Sequence, residues 1–409
     1  MKIGINGFGR IGRCVLRLVL DDPSVEEVVI NGLSDTKELA YLFKYDSMQR
    51  FLPYEVEAEE NYINVNDRKI KVYKESDPNN IPWGEHGIDV VFECTGVFNS
   101  SEKSMAHINK GAKHVLISAP SKDDTKTIVY GVNDELITKE DKIISCASCT
   151  TNALAPLASV IHKNFKIKSG FMTTVHAMTN DQETLDVTHK KGIYQRRGRA
   201  ASLNIIPTST GAASQIGKVI PELDGLLDGI SYRVPVGDGS LVELNVVVEK
   251  SATKEEINNV LKVSENEAFK YTEDPIVSSD VVGNVCGSIV DGLLTNVINK
   301  NGNVVVKVVA WYDNEIGYSA QMIRVAKTLM SFYEEEKENI PIEELKQESF
   351  NKIEENITEN KTMESNMTNQ VVNNEALNAQ VPNDNLEKTT EIINLNHIQN
   401  ETKPNTFEF

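Results

Sequence analysis

A glycine pattern near the amino terminus constrains the fold of this chain more than any other feature. Gly7, Gly9 and Gly12 follow a strand-like run at Lys2 to Asn6 and precede a segment with apolar residues at helical spacing. Glycines at this spacing, between a strand and a helix, allow a tight turn and bring the backbone close to a pyrophosphate at the helix N-terminus. The pattern therefore predicts a dinucleotide site. The residues predicted to form its loop are Gly7, Phe8, Gly9, Arg10, Ile11 and Gly12.

Alternation of strand-like and helical segments over the first 150 residues indicates a mostly parallel sheet with right-handed crossovers. Beyond that point the strand-like runs become longer, and several alternate apolar and polar positions, as in a sheet with one covered face. A chain of 409 residues is long enough for two such domains. We predict an α/β fold: a Rossmann-type doubly wound parallel sheet (residues 1–149) that binds a dinucleotide, and an α+β catalytic domain with a mixed or antiparallel sheet (residues 150–315).

The charge of the chain is unevenly distributed. Its formal net charge of -18 argues against nucleic-acid binding, which usually requires a basic surface. Residues 334–409 carry 17 acidic and 6 basic side chains and include 15 Asn, a composition that buries too little apolar surface to fold alone. We predict a mostly disordered acidic tail over residues 333–409. A loose apolar helical stripe after Pro341 leaves open a role in binding an unknown partner.

The cysteine pattern indicates a reducing compartment. The five cysteines are odd in number and scattered, unlike a secreted disulfide framework. No apolar run approaches the length of a membrane span, and a strand and glycine loop begin directly at the amino terminus, without a leader-like segment. We therefore expect a cytoplasmic protein that does not enter a membrane.

Cys149 is the strongest candidate nucleophile. It lies in the stretch SCASCTTN, between a strand-like run and a helical one, and the start of a helix favours thiolate over thiol. A lone cysteine in an intracellular chain is more often buried and inert. The hydroxyls of Ser148, Thr150 and Thr151 and a histidine in a later strand-like run, His176, favour a catalytic role instead.

Together these motifs resemble the glyceraldehyde-3-phosphate dehydrogenase family from Met1 to about Phe332. The resemblance implies phosphate-dependent oxidation of glyceraldehyde 3-phosphate to 1,3-bisphosphoglycerate in glycolysis or gluconeogenesis. Cys149 would form a thioester, His176 would act as the base, and the hydride would pass to NAD or NADP. The related erythrose-4-phosphate dehydrogenase uses the same pair of residues and remains an alternative.

The resemblance also assigns residues to binding roles. Thr179 and Arg233 would hold the phosphate of the substrate. The attacking phosphate would be held by Ser148, Thr150, Arg197, Thr210 and Gly211. The cofactor would be contacted, beyond the glycine loop, by Gly32, Thr95, Gly96, Ser118, Asn314 and Tyr318. No metal site is expected. The basic loop around Arg197 would pack against a neighbouring subunit's cofactor, which favours a homotetramer, and a helix over residues 316–332 would join the dinucleotide domain.

Several positions depart from the family pattern. Gly32 replaces an Asp that binds the adenosine ribose and repels the 2′-phosphate of NADP, and Thr188 replaces a crowding Pro. Ser34 and Thr36 are expected to offer hydroxyl donors nearby, although Ser76 replaces an Arg. We therefore predict that both NAD and NADP are used. Cys146 forms Cys-x-x-Cys with Cys149, which leaves open either a reversible disulfide or a small side chain filling a turn.

Overall fold

Two sheets of eight strands organise the described part of the chain. The structure, a computed structural model, describes residues 1–189, 192 and 194–338, with the backbone alone for 334–338. The amino-terminal part contributes, in chain order, β1 (Lys2–Asn6), α1 (Arg10–Val19), β2 (Glu27–Asn31), α2 (Thr36–Lys44), β3 (Val56–Ala58), β4 (Tyr62–Val65), β5 (Arg68–Tyr73), β6 (Val90–Glu93), α3 (Ser101–Asn109), β7 (His114–Ile117) and β8 (Ile143–Ser145). The rest contributes α4 (Cys149–Phe165), β9 (Ile167–His176), β10 (Ile206–Ser209), α5 (Ala212–Val219), β11 (Leu227–Arg233), β12 (Ser240–Val248), α6 (Lys254–Val263), β13 (Phe269–Thr272), β14 (Ser288–Asp291), β15 (Asn296–Lys300), β16 (Asn303–Tyr312) and α7 (Ile316–Glu338).

The first sheet is mostly parallel. Its order is β3-β4-β5-β2-β1-β6-β7-β8, and only the β3–β4 and β4–β5 pairs are antiparallel. Strands β6 and β7 are buried along their whole length, as expected for parallel strands covered on both faces. Strand β1 lies in the interior of this sheet, between β2 and β6. The glycine loop follows its carboxyl end, the usual place for a ligand in such sheets.

Two of the three glycines are required by the geometry of this loop. Gly7 has φ +93°, and a Cβ there would lie 2.8 Å from the Thr95 backbone nitrogen. A Cβ on Gly12 would lie 2.2 Å from the Gly7 carbonyl oxygen. Larger side chains at these two positions would push α1 away from β1. The two glycines therefore allow the helix to pack closely against the strand.

The second sheet is mixed and covered on one face. Its order is β10-β11-β9-β12-β16-β14-β13, with β15 paired to β16. Residues of β12 alternate strictly between buried and partly buried, and α4, α5 and α6 pack on the buried face. Nothing in the described part of the chain covers the opposite face, and Phe171 there is 67% exposed.

Helix α7 returns to the first sheet. Met322, Val325 and Leu329 pack in one core with Val15 and Leu16 of the first part of the chain. The helix continues beyond Phe332, so residues 333–338, which we expected to belong to the tail, are helical. The Tyr333 hydroxyl lies 2.9 Å from His114 Nε2, so the helix contacts the first sheet beyond Phe332 as well.

The predicted fold class is confirmed, with a doubly wound mostly parallel sheet and a second, mixed sheet. Residues 339–409, where the acidic tail and its apolar stripe were predicted, lie outside the described residues. No helix in the described ranges is long and apolar enough to cross a membrane.

Replacing Leu329 with Ala should lower the free energy of unfolding by about 2–5 kcal/mol, because it empties a buried position where α7 meets α1. Urea unfolding at one fixed protein concentration measures this. Leu136→Ala is the matched control, since that side chain is 54% exposed and should change stability little. Equal stability of the two variants would show that α7 is not part of the core.

Candidate active site

One cavity of about 730 Å³ collects residues from both sheets. Gly9, Arg10 and Ile11 enter it from the glycine loop, and Cys149 enters it from the start of α4. The remaining lining residues come from the carboxyl ends of strands or the segments that follow them, and include Thr95, His176, Thr179, Arg233 and Asn314. The fold therefore brings the two predicted catalytic residues together with five of the predicted cofactor residues and with Thr179 and Arg233.

Cys149 is the first residue of α4. Ser148 is the N-cap, and its hydroxyl accepts a hydrogen bond from the Thr151 backbone N–H at 3.1 Å. Ala147, just before it, has φ +56°, so the chain turns sharply from β8 into the helix. This turn places the partly buried thiol at the first position of the helix, where it contacts the cores of both sheets.

His176 faces the thiol from the end of β9. Its Nε2 lies 3.4 Å from Cys149 Sγ, and its Nδ1 lies 2.8 Å from the Ala177 carbonyl oxygen and 2.6 Å from Arg233 Nη1. Since a guanidinium only donates, Nδ1 either donates to Ala177 or accepts from Arg233. A base that acts through Nε2 needs its proton on Nδ1, so the tautomer bonded to Ala177 is the one competent for catalysis.

Burial and the charge of Arg233 control protonation at this pair. Burial, followed by the positive charge of Arg233, lowers the pKa of His176 to about 3, although the bond to Ala177 acts in the opposite direction. Burial raises the pKa of the Cys149 thiol, while Arg233 and two hydrogen bonds from Thr150 oppose that rise. The imidazole is therefore neutral at physiological pH and free to accept a proton.

Thr150 belongs to a buried chain of hydroxyls behind the cysteine. Its Oγ1 lies 3.0 Å from the Tyr312 hydroxyl, which lies 2.9 Å from Thr174 Oγ1. Thr174 donates to the Leu241 carbonyl oxygen, so it accepts from Tyr312. The single hydroxyl proton of Thr150 then goes either to Tyr312 or to the sulfur of Cys149. The Tyr312 ring also packs edge-on against His176, with 5.9 Å between centroids.

Of the predicted anion-binding residues, Thr179 and Arg233 line the cavity, whereas Ser148, Thr150 and Arg197 do not. Arg197 forms an ion pair with Asp181, whose other oxygen accepts a hydrogen bond from the Thr179 hydroxyl. Arg197 Nη2 also lies 3.4 Å from Thr208 Oγ1. Thr210 and Gly211 do not line the cavity; they lead into α5, of which Gly211 is the N-cap. Asp181 thus occupies the donors that a phosphate would use.

The glycine loop fits a dinucleotide. The first hydrogen bond of α1 runs from Arg13 N–H to the Gly9 carbonyl oxygen, so the N–H groups of Arg10, Ile11 and Gly12 have no partner within the helix. A Cβ built on Gly9 meets nothing within 4 Å, so the space in front of the helix is open. Unpaired donors at a helix N-terminus with open space before them suit a pyrophosphate.

Arg10 joins the two halves of the cavity. Its Nε donates to Glu315 Oε1 at 2.7 Å and its Nη1 to Asp46 Oδ2 at 2.6 Å. Its guanidinium is therefore used in an interdomain cluster, and its backbone is what remains for a cofactor. Asp238 and Asp313 lie in the same cluster, and burial followed by neighbouring carboxylates raises the pKa of Asp238.

Seven predicted cofactor residues do not line the cavity: Gly7, Phe8, Gly12, Gly32, Gly96, Ser118 and Tyr318. Phe8 is buried in the core against Phe43, and the Tyr318 hydroxyl donates to the Ala147 carbonyl oxygen at 3.0 Å. Ser118 forms a hydrogen bond with Cys94. Gly32 is buried at the end of β2, and Gly96, just beyond the cavity residue Thr95, has φ +71°. Cys146 and Cys149 are both free thiols.

Sequence reasoning missed four residues that the structure places at the site. Asp181 and Glu315 bind the arginines described above, and Tyr312 touches His176. Ser240 bonds to Asn314. Glu315 and Tyr312 lie within two positions of Asn314 in the sequence, and that nearness could have pointed to them. A single serine at the start of a strand gives no comparable indication of a role in the site. Within the described ranges, no group of three His, Cys, Asp or Glu side chains is arranged to hold a metal ion.

Comparison with known proteins identifies the family. The model of the glyceraldehyde 3-phosphate dehydrogenase NAD binding domain matches residues 1–101, and that of the C-terminal domain matches residues 148–314. The chain is 54% identical over 323 residues to glyceraldehyde-3-phosphate dehydrogenase of Clostridium pasteurianum, which covers 79% of this chain and 96% of that protein. The enzyme of that name from Clostridium acetobutylicum matches equally, at 54% over 323 residues with the same 79% and 96% coverage. That from Borreliella burgdorferi is 52% identical over 341 residues, covering 81% of this chain and 100% of its own. With a thiol and an imidazole facing a dinucleotide loop, and with relatives this similar along nearly their whole length, the chain belongs to the glyceraldehyde-3-phosphate dehydrogenase family.

Proposed function

We propose that this chain oxidises glyceraldehyde 3-phosphate to 1,3-bisphosphoglycerate in a phosphate-dependent reaction of glycolysis or gluconeogenesis, with NAD or NADP as the hydride acceptor. The observation that carries the proposal is the 3.4 Å contact between Cys149 Sγ and His176 Nε2 in a cavity that also receives the first turn of α1. Membership of a family of oxidoreductases supports it.

The first half-reaction uses the neutral imidazole twice. His176 takes the thiol proton as Cys149 Sγ attacks the aldehyde carbon, and returns it to the developing oxyanion to give a thiohemiacetal. When bound, the nicotinamide coenzyme supplies the hydride acceptor. As the C–H bond breaks, His176 takes the hydroxyl proton, and Cys149 is left as a thioester. Burial and the charge of Arg233 keep His176 unprotonated at the start, and the same lowered pKa makes the imidazole a weak base until the surrounding charge changes.

The second half-reaction requires two anion sites. An oxygen of inorganic phosphate attacks the thioester carbon, the acyl phosphate forms, and the Cys149 thiolate leaves. We assign Arg233 and Thr179 to the substrate phosphate. We assign Ser148, Thr150, Arg197, Thr210 and Gly211 to the attacking phosphate. Because Asp181 pairs with Arg197 and accepts from Thr179, anion binding in this proposal releases both donors from that carboxylate.

The names of the relatives favour the triose phosphate over erythrose 4-phosphate. We also propose that residues 1–149 with the helix at 316–332 form the dinucleotide-binding domain and that residues 150–315 form the catalytic domain. The arrangement of the two sheets supports this division. The proposal includes a cytoplasmic location, which rests on the cysteine pattern of the sequence.

Two uncovered apolar surfaces support a homotetramer. Leu185, Val187, Leu203 and Ile205, on the segment between β9 and β10, are each more than half exposed. The open face of the second sheet carries Phe171, also largely exposed. Apolar patches of this kind usually mark contacts between subunits.

The environment of Gly32 supports the use of both coenzymes. A Cβ on Gly32 would lie 2.9 Å from Leu39 Cδ1, so Leu39 has packed into space that a larger residue would need. Asp35 caps α2 by accepting from the Glu38 backbone N–H. The expectation that Thr36 offers a hydroxyl donor to the coenzyme was wrong, because its buried hydroxyl donates to the Glu60 carbonyl oxygen. Of the two expected donors, Ser34 remains.

The wild-type chain should reduce NAD in the presence of glyceraldehyde 3-phosphate and depend on inorganic phosphate, and Cys149→Ser should abolish the reaction. A serine hydroxyl is a far weaker nucleophile at neutral pH, and an oxygen ester is a poorer acyl donor than a thioester. NADH formation at 340 nm measures this, and calorimetry checks that the variant still binds NAD. Substantial turnover by the serine variant would sink the proposed mechanism, and faster reduction with erythrose 4-phosphate would favour the alternative substrate.

Replacing His176 with Asn should slow acylation by about 10²- to 10⁴-fold, the usual contribution of a positioned base. Asn keeps a hydrogen-bonding group of similar size but cannot take a proton. Single-turnover reduction of NAD in a stopped-flow instrument isolates this step. An unchanged burst rate would place the base elsewhere.

Neither coenzyme should be favoured by more than about 100-fold in kcat/KM, since one lost repulsion is worth about 1–3 kcal/mol. Gly32→Asp should lower kcat/KM for NADP much more than for NAD. Gly32→Asn controls for the displacement of Leu39, because it adds the same bulk without the charge. Discrimination against NADP above about 10³-fold by the wild-type chain would contradict the role argued for Gly32.

A further inference from the structure

Ser240 reaches the active site through a glycine turn. Gly239 has φ +84°, and a Cβ there would lie 2.0 Å from the Ser278 carbonyl oxygen, so only glycine fits. The turn delivers Ser240 as the first residue of β12, paired with Tyr312 of β16. Ser240 is therefore next to the segment that follows β16, which carries Asn314, and it is 1% exposed.

The Ser240 hydroxyl connects the catalytic strand to Asn314. Its Oγ accepts a hydrogen bond from the Ala177 backbone N–H at 3.0 Å and donates to Asn314 Oδ1 at 2.7 Å. A hydroxyl has one proton, and the proton of Ser240 is donated to Asn314 Oδ1. If the amide were reversed, both Ala177 and Asn314 would donate to Ser240, and its own proton would have no acceptor. The amide is therefore held with its oxygen inward.

The other end of the amide faces the cavity. Asn314 lines the same cavity as Cys149 and His176, and no described group accepts a hydrogen bond from its Nδ2. This donor is therefore available to an acceptor on a ligand in the cavity. Because Ala177 directly follows His176, the same hydroxyl ties the residue beside the base to Asn314.

We propose that Ser240 is a positioning residue that fixes which end of the Asn314 amide faces the cavity, and thereby which end of a nicotinamide carboxamide is bound there. A carboxamide offers an oxygen acceptor at one end and an NH₂ donor at the other. An Asn314 amide that presents its donor to the cavity binds the oxygen end. This inference rests on the proposed function, since it takes the ligand to be a nicotinamide dinucleotide.

Calorimetry with two ligands isolates the nicotinamide contact. NAD and ADP-ribose differ in the nicotinamide group, so Ser240→Ala should raise the Kd for NAD by about 3- to 10-fold, the worth of one hydrogen bond, and leave the Kd for ADP-ribose unchanged. Ser231→Ala is the matched control, since Ser231 is also buried on a strand of this sheet but its hydroxyl has no partner. Equal Kd values for NAD in wild type and Ser240→Ala would overturn the proposal.

A double-mutant cycle tests whether Ser240 acts through Asn314. Adding Ser240→Ala to Asn314→Ala should weaken NAD binding no further, because the amide that Ser240 orients is already absent. The same additional loss in both backgrounds would show a merely structural role.

Binding of ADP-ribose reports whether each variant is folded. If Ser240→Ala does not fold, Ser240→Cys keeps the shape of the side chain with a weaker donor, and it should raise the Kd for NAD by a smaller factor; an unchanged Kd there would count against the proposal. Failure of the wild-type chain to oxidise glyceraldehyde 3-phosphate would overturn the proposed function, whereas the NAD and ADP-ribose comparison would still test Ser240.

Discussion

A single arginine among buried carboxylates holds the two halves of the active site together. Arg10 belongs to the glycine loop of the first sheet, and it binds Asp46 and Glu315, the residue that follows Asn314. Loss of this guanidinium would leave buried carboxylates uncompensated, a change that typically costs about 3–5 kcal/mol. Asp238 and Asp313 bring the number of carboxyl groups in this cluster to four. Burial, followed by the charges of Asp313 and Glu315, raises the pKa of Asp238. The cofactor loop and the Asn314 segment are thus held in a fixed relation before any ligand binds.

The chemistry of the site follows from a second placement, that of Arg233 beside His176. Burial alone disfavours an imidazolium, and a guanidinium 2.6 Å from Nδ1 disfavours it further. The same charge favours the Cys149 thiolate. In the proposed mechanism Arg233 also binds the substrate phosphate, so one side chain would keep the base neutral, assist the nucleophile and attract the substrate.

Much of the fold was predictable because it depends on local patterns. Glycine spacing predicted the turn between β1 and α1, and alternation of apolar and polar residues predicted the half-covered second sheet. Cys149 was identified by its position between a strand and a helix. The partners of hydroxyl and amide groups were not predictable in this way. Thr36 was expected to face a cofactor, but its proton goes to Glu60, and Ser240 gave no signal, because its role depends on which strand lies beside it.

The sequence by itself determined the two sheets, the glycine loop and the residue types that chemistry of this kind requires. These depend on backbone preferences and burial patterns that repeat within a few residues. Only the tertiary structure decided which side chains meet. Arg10 and Glu315 are 305 positions apart, and Ser240 and Asn314 are 74 apart, so their contacts depend on strand order and register rather than on any local pattern. Hydrogen bonds are short and directional, and small differences in that register decide whether a donor finds an acceptor.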